Sequence, residues 1–378
     1  MRIVLNGVET KNKGAELMFY AILQEIERKF PDAEVYIPFD SVKEGLHYIQ
    51  TSLKLKYKPY SWLLRLKLRG ILRRLGVPAK YCDFDTYPIK NTDYFIDASG
   101  FTFSDQWNHS PTIIEHWQLL FSNMKKSGAK LVFLPQAFGP IERQTTKREI
   151  ENINQYADLI MPRDKVSLKY LQEAGVNPQK IQCFSDFTNL VEGIIPKSYT
   201  HLVNGICIIP NMRMIDRGII ERDKYIQIIK VIVELCKQHD RTVYMLNHEG
   251  LEDANFSRMC SERLGENIEV VNGLNALEIK GLISTSYLCI SSRFHGVASA
   301  LNSCVPCLAT SWSHKYKELF QDYGMTECVL DLTDIKSIKC RISNYLSQDV
   351  NSEIRAILAE KLPEIKKHTL EMWDSVWK

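Results

Sequence analysis

No stretch of this 378-residue sequence holds the 18 or more consecutive apolar residues that a membrane-crossing helix requires. The opening MRIVLNG enters strand-like sequence at once, without the pattern of a secretory signal, so a cytoplasmic protein is expected. Charge of one sign is also lacking. The 48 basic and 45 acidic residues leave a net charge of +3, too little to imply a nucleic-acid partner, and none is expected. Neither a GxxxxGK[ST] phosphate loop nor a GxGxxG turn occurs, and no HExxH or carboxylate cluster calls for a metal. The one CxxC, Cys304 to Cys307, has no second CxxC or histidine pair to complete a zinc set. The ten cysteines therefore read as reduced thiols. Most lie in apolar runs, such as Cys207 in GICIIP and Cys289 in YLCISS, where cysteine acts as a small hydrophobe.

What is present is ordinary globular composition, 45% apolar and 25% charged, at a length that suits two domains. Short β-branched or aromatic runs alternate with helical periodicity. RIVLN precedes a helix with Phe19, Leu23, Ile26 and Phe30 on one face, and EVYIP, DYFIDA, KLVFLPQ and DLIMP follow as strands. KVSLKYLQEAG reads as a helix stopped at Gly175. The alternation restarts with GICIIP, TVYMLN, EVVN, YLCIS, CLATS and CVLDL, with helices between, notably KYIQIIKVIVELCKQ. Continuous apolar strands alternating with helices indicate parallel sheets covered on both faces. The expected fold is thus α/β, two Rossmann-like doubly wound domains over 1–190 and 200–378, joined near 191–205 and facing a cleft at the strands' carboxyl ends. One segment departs from this pattern. Between Thr51 and Cys82 there are nine lysines and arginines and no acid until Asp83. A helix over 62–75 would carry Leu64, Leu68, Ile71, Leu72 and Leu75 in a stripe flanked by basic residues. Such a helix could lie on an anionic membrane surface, or the segment could pack on the first domain with a solvated basic rim.

Polar residues collect where strands should end. NGVETKNKGAE holds Gly14 and Glu16, IDASGF holds Asp97, Ser99 and Gly100, LPQAFGP holds Gln136, MPRDKVS holds Arg163, and FSDFTN holds Asp186. Each alone reads as a plain βα turn; together they mark one topological edge. SSRFHG (291–296) is sharper. It leads into a helix whose first N–H groups and dipole favour an anion. Arg293 can grip phosphate or carboxylate by two hydrogen bonds, and His295 can hold an anion or donate a proton. A lone histidine there would more simply bond backbone; beside an arginine at a helix start it reads as functional. One βα unit later TSWSHKYKELF supplies His314, Lys315 and Lys317, so Arg293, His295 and Lys315 suit a ligand with more than one negative charge.

The order NKGAE, DASGF, PQAFGP, PRDKVSLKYL, FSD, NHEGLED, SSRFHG and SHKYKELF resembles the polysaccharide pyruvyl transferase family across most of the chain. The SRxH element and the downstream lysine are its most specific marks. The resemblance implies a GT-B-like fold and transfer of a pyruvyl group from phosphoenolpyruvate to sugar hydroxyls, leaving a ketal and phosphate. The acceptor would be a capsule or exopolysaccharide sugar or its lipid-linked precursor. No cofactor is implied. Carried onto this sequence, Arg293 and His295 contact the donor, with Ser292, Lys315 and Arg163 supporting. Gly14, Glu16, Ser99, Gly100, Gln136 and Asp186 fall on the acceptor side. His295 is the candidate acid, and Asp97, His248 and Glu249 are candidate bases. The glycine-rich GGG usual after the second motif reads SGF here, a departure in the acceptor half. Residues 51–82 would hold the enzyme peripherally at the inner membrane face. Two other readings stand beside this one: a GT-B glycosyltransferase using a nucleotide-sugar donor, and a non-catalytic binding subunit of a glycan-assembly complex.

Overall fold

The computed structural model describes residues 1–38, 42, 45, 48–57, 71–72, 74–77, 89–265, 268–310 and 314–378. They form two compact units, one of residues 1–10, 18–187 and 372–378, the other of 11–17 and 188–371. This differs from a simple cut at 190–200 in two places: residues 11–17 pack with the second unit, and the last seven residues pack with the first.

The first unit is built on a six-stranded parallel sheet in the order β3-β2-β1-β4-β5-β6. Its strands are β1 (Arg2–Asn6), β2 (Glu34–Ile37), β3 (Lys54–Tyr57), β4 (Tyr94–Asp97), β5 (Lys130–Gln136) and β6 (Leu159–Pro162). β6 is buried along its whole length and β5 at all but its first residue, as strands covered by helices on both faces must be. The helices are α1 (Lys13–Lys29), which belongs to this unit from Met18 onward, α2 (Pro111–Lys126), α3 (Gln144–Tyr156) and α4 (Lys165–Glu173). Asp164 caps α4 by accepting the Ser167 amide at 2.7 Å. An aromatic core of Phe95, Phe103, Phe121, Phe133 and Phe138 fills the space between sheet and helices. The C-terminal residues join this unit because Trp377 meets Phe30 and Tyr94 edge-on at 5.2 Å each and donates its indole N–H to Glu25 at 3.1 Å. Trp373 likewise packs on Phe187 at 5.7 Å.

β3 falls in the basic segment, where no strand was expected. Register pairs Lys54, Leu55, Lys56 and Tyr57 with Glu34, Val35, Tyr36 and Ile37. It is an edge strand, and edge strands tolerate exposed lysines that discourage further pairing, so its charge hid it. The helix expected over 62–75 lies largely outside the described residues, as do six of the nine basic positions of the segment. No helix among the described residues is long and apolar enough to cross a membrane.

The second unit is built on a five-stranded parallel sheet in the order β11-β10-β7-β8-β9. Its strands are β7 (Ile206–Ile209), β8 (Val243–Leu246), β9 (Glu269–Val271), β10 (Leu288–Ser291) and β11 (Cys307–Ala309). The CVLDL run, expected as a sixth strand, contributes only an isolated bridge from Val329 to Ala309. The helices are α5 (Arg213–Asp216), α6 (Arg222–Lys237), α7 (Gly250–Arg263), α8 (Ala276–Ser284), α9 (Phe294–Leu301), α10 (His314–Asp322), α11 (Ile335–Leu346) and α12 (Gln348–Trp377), the last passing to the first unit at Met372. A reciprocal capping box, Asn275 with Glu278 at 3.0 Å each way, starts α8. In the sheet Cys207, Cys289 and Cys307 stand side by side on β7, β10 and β11 and are all buried. They fill the core as small apolar groups.

Candidate functional site

In the five-stranded sheet the chain runs from β7 outward through β8 to β9, then returns to place β10 on the other side of β7. The crevice outside the carboxyl ends of β7 and β10 is therefore the switch point where open α/β sheets bind ligands. Asn211 follows β7, and Ser292, Arg293 and His295 follow β10. Arg293 is the N-cap of α9, with φ −110° and ψ 130°, and its amide donates to Ser291 Oγ at 3.0 Å. Its guanidinium is held on two sides. Nε donates to Asp253 Oδ2 at 2.9 Å, Nη2 contacts the same carboxylate, and Nη1 contacts Glu249. Asp253 in turn accepts the Met212 amide at 2.9 Å. Burial pushes the Asp253 carboxyl above its ordinary 3.8, with the adjacent Arg293 charge pulling the other way.

His248 is buried behind this cluster. Burial first, then the charges of Arg293 and His295, press its pKa well below 6.5, so at neutral pH it is an uncharged imidazole. His295 touches the start of α1. A Cβ on Gly14 would stand 2.1 Å from His295 Nδ1, so only glycine allows the backbone this close. The segment 11–17 is anchored on either side of that contact. Asn12 bridges to Glu249 in the antiparallel sense and caps α1 by accepting the Gly14 amide at 2.9 Å. Glu16, fully buried, pairs with Lys13 at 2.7 Å and takes the Ala276 amide at the start of α8, and burial raises its pKa. The Phe294 ring lies between two of the expected donor ligands. His295 packs on it edge-on at 5.3 Å, and Lys315 Nζ lies 5.5 Å from its centroid. Beside Arg293 is an open pocket of about 220 Å³, lined by Lys11, Arg213, Glu249, Asp253 and Arg293 among others.

The six-stranded sheet has its own switch point, between β1 and β4. There Asp97, completely buried, receives Asn6 Nδ2 at 2.7 Å and Ser99 Oγ at 2.9 Å on one oxygen. The other oxygen takes Gln136 Nε2 at 3.0 Å and the Ser99 amide at 3.2 Å. All four acceptor positions are filled, so Asp97 ties β1, β4 and β5 together and offers no open oxygen for a proton. Gly7, at φ +72°, passes so close that a Cβ would meet Ser99 Oγ at 2.2 Å. Gly100 also has positive φ, at +71°. The Arg163 amide donates to the Gln136 carbonyl at 3.0 Å, and Asp186 is buried. Arg163 and Asp186 both belong to this first unit, whereas Gly14 and Glu16, expected with the acceptor residues, belong to the second.

The polysaccharide pyruvyl transferase profile matches residues 12–314, most of the chain. This chain belongs to the polysaccharide pyruvyl transferase family. Among curated proteins, the amylovoran biosynthesis protein AmsJ of Erwinia amylovora is 20% identical over 372 residues, covering 89% of this chain and 88% of AmsJ. Among solved structures, HepE of Anabaena with UDP and glucose superposes with a TM-score of 0.57 at 13% identity, over 99% of this chain and all of that one. A putative UDP-N-acetylglucosamine 2-epimerase from Listeria monocytogenes gives 0.58 at 12% identity, over 94% and 90% of the two chains. At such identities these likenesses speak for the fold alone. It is the GT-B fold, two Rossmann-like units of parallel sheet and flanking helices.

Within this pyruvyl transferase family member one expected donor ligand is turned inward. Ser292 Oγ bonds Tyr225 at 2.6 Å and Thr310, and its carbonyl accepts Asn211 Nδ2 at 3.1 Å and Tyr316 at 2.9 Å. It fastens the turn that presents Arg293. The sequence reading missed Asp253, Lys11 and Arg213. Asp253 had a signal, since it lies one helical turn beyond Glu249 in NHEGLED and so shares its face. Among the described residues no group of histidine, cysteine, aspartate and glutamate is arranged to hold a metal ion.

Proposed function

We propose that this protein transfers the pyruvyl group of phosphoenolpyruvate to two hydroxyls of one sugar, in a cell-surface polysaccharide or its lipid-linked precursor, releasing phosphate and leaving a ketal. The observation that carries this reading is the arginine–histidine pair at the start of α9, on the switch point of the second sheet, in a chain of this family. The similarity to AmsJ, an amylovoran biosynthesis protein, supports a polysaccharide acceptor.

Phosphoenolpyruvate carries a phosphate and a carboxylate on three carbons. Asp253 holds Nε and Nη2 of Arg293, so Nη1, beside the partly exposed Glu249, is the nitrogen that would meet one of these groups, and Lys315, beside Phe294, supplies a point charge for the other. The chemistry starts with a proton delivered to the methylene carbon of the enol phosphate, which makes the adjacent carbon electrophilic. One sugar hydroxyl adds there and loses its proton. The second hydroxyl then displaces phosphate, closing the ketal ring. His295 is the proton donor, its ring held by Gly14 on one side and Phe294 on the other. The uncharged His248 adds no positive charge to the cluster. The protein works at the inner face of the membrane, where lipid-linked sugars are built.

The test is to incubate pure protein with phosphoenolpyruvate and candidate lipid-linked sugars, following phosphate release and acid-labile pyruvate. Release of phosphate with pyruvate on the sugar is expected. Neither product from any acceptor, together with thermal stabilisation by UDP- or GDP-sugars and not by phosphoenolpyruvate, would turn the reading toward a nucleotide-sugar glycosyltransferase.

A further inference from the structure

Between β4 and α2, residues 101–110 are bonded firmly into the first unit yet leave an indole in water. The Phe103 carbonyl accepts the Gly139 amide at 3.0 Å, and the Asp105 amide donates to the Pro140 carbonyl at 2.9 Å. The Asp105 carboxylate takes the Glu142 and Arg143 amides at 2.7 and 3.1 Å. Trp107 donates its indole N–H to the Phe101 carbonyl and is still 51% exposed. Asn108, at φ +43°, turns the chain, and the His109 ring comes back onto Trp117 at 5.0 Å. His109 Nδ1 lies 3.0 Å from Glu149 Oε1 on α3. The imidazole side chain is 17% exposed, and Nε2 makes no hydrogen bond among the described residues. Glu149 is 2% exposed, and its other oxygen is buried without a partner among the described residues. Asp97, equally buried, spends both oxygens on four donors. The buried carboxyl of Glu149 serves one bond, the one that holds the His109 ring.

We propose that this loop is a carbohydrate-binding subsite, with the Trp107 face as its platform, His109 Nε2 as the partner of a sugar hydroxyl, and Glu149 as the residue that positions His109. The loop follows β4 and leads into α2, which puts it at the carboxyl edge of the six-stranded sheet, where open α/β sheets take ligands. An indole face carries negative π density and attracts the C–H groups on one face of a sugar ring. Two residues of chain span at most about 7 Å, so indole and imidazole stand within reach of one short glycan. A hydroxyl both donates and accepts, so it bonds Nε2 in either tautomer of His109. An anion would need Nε2 to carry a proton, and it would face the Asp105 and Glu149 carboxylates, which already act on each other. The subsite therefore suits an uncharged, hydroxyl-rich ligand. That this ligand is the acceptor sugar rests on the proposed function.

Saturation-transfer NMR with the methyl glycosides of glucose, galactose, mannose and N-acetylglucosamine tests this. Wild type is expected to bind at least one of them, and Trp107→Ala and His109→Ala each to weaken that binding about tenfold. Trp107→Phe, which keeps an aromatic face, recovers part of the loss. Trp107→Ala should melt with wild type, because the indole is half exposed, and should leave the affinity for phosphoenolpyruvate unchanged. Glu149→Ala should weaken sugar binding, Glu149→Gln should restore most of it, and His109→Ala with Glu149→Ala should lose no more than His109→Ala alone. No glycoside bound by wild type, or binding that Trp107→Ala and His109→Ala leave unchanged, overturns the proposal. Pyruvate transferred to a sugar whose KM neither variant moves removes the subsite and keeps the proposed function. Glycosides bound through Trp107, with phosphoenolpyruvate neither bound nor consumed, keep the subsite and remove the proposed donor.

Discussion

At the middle of the six-stranded sheet Asp97 is surrounded by four uncharged donors, while at the middle of the five-stranded sheet Arg293 is surrounded by two carboxylates. Both lie at topological switch points, and in both a glycine lets backbone press against a polar side chain, Gly7 on Ser99 and Gly14 on His295. The difference is in what remains to be exchanged. The Asp97 network is complete and buried, so it fixes a set of loops. The Arg293 network includes one partly exposed partner beside a pocket. In the proposed reading the same architectural position serves as a fastening in one unit and as a seat in the other.

The sharpest way to break this comparison is Arg293→Ala. It leaves Asp253 buried without its cation and should cost about 3–5 kcal/mol of second-unit stability, as well as abolishing phosphoenolpyruvate binding. Urea unfolding and calorimetry read the two effects. Asp97→Ala strands its donors away from water and should cost the first unit about 1–3 kcal/mol while leaving the affinity for phosphoenolpyruvate unchanged. If that affinity collapses too, Asp97 is more than a fastening. Gly14→Ala drives a methyl group into the His295 ring and should cost about 1–3 kcal/mol and weaken phosphoenolpyruvate binding, read by thermal shift with and without the ligand.

A pH series adds a finer test. The folded-state pKa of His248 is depressed, so below pH 6.5 the unfolded chain takes up a proton that the folded one refuses. The stability this residue contributes is complete above pH 6.5 and is lost as pH falls below it, by at most about 1.4 kcal/mol per pH unit. His248→Gln should flatten that slope in urea titrations between pH 5 and 7. The smallest effect is expected for Glu16→Gln, which keeps an acceptor for the Ala276 amide and loses only the charge opposite Lys13, at about 1 kcal/mol or less.

Much of this was legible in the sequence because it is local. Fully buried parallel strands such as ICII and LCIS are continuous apolar runs, and SSRFHG shows a strand running into a helix start. What escaped was either masked or distant. β3 hid behind its lysines, and CVLDL has the composition of a strand but meets the sheet at one residue. The partners of Arg293 lie 40 and 44 positions upstream, a separation that no local pattern reports. For the same reason the two C-terminal tryptophans could not be assigned to the first unit from their sequence alone. The inward turn of Ser292 depends on Tyr225 and Thr310, which only the fold brings to it.

The row of cysteines across β7, β10 and β11 has a practical consequence. Eight of the ten cysteines fall in residues 188–371, and six of those, Cys207, Cys236, Cys260, Cys289, Cys307 and Cys328, are buried. Burial also raises the Cys236 thiol to about 12, which suppresses the reactive thiolate. The second unit therefore carries its own built-in clock. Exposed Cys183 and Cys340 should react with an alkylating reagent at once, and the buried set only as fast as the five-stranded sheet opens. Mass spectrometry of the alkylated peptides would then time the opening of the second unit, with no cysteine engineered into the protein.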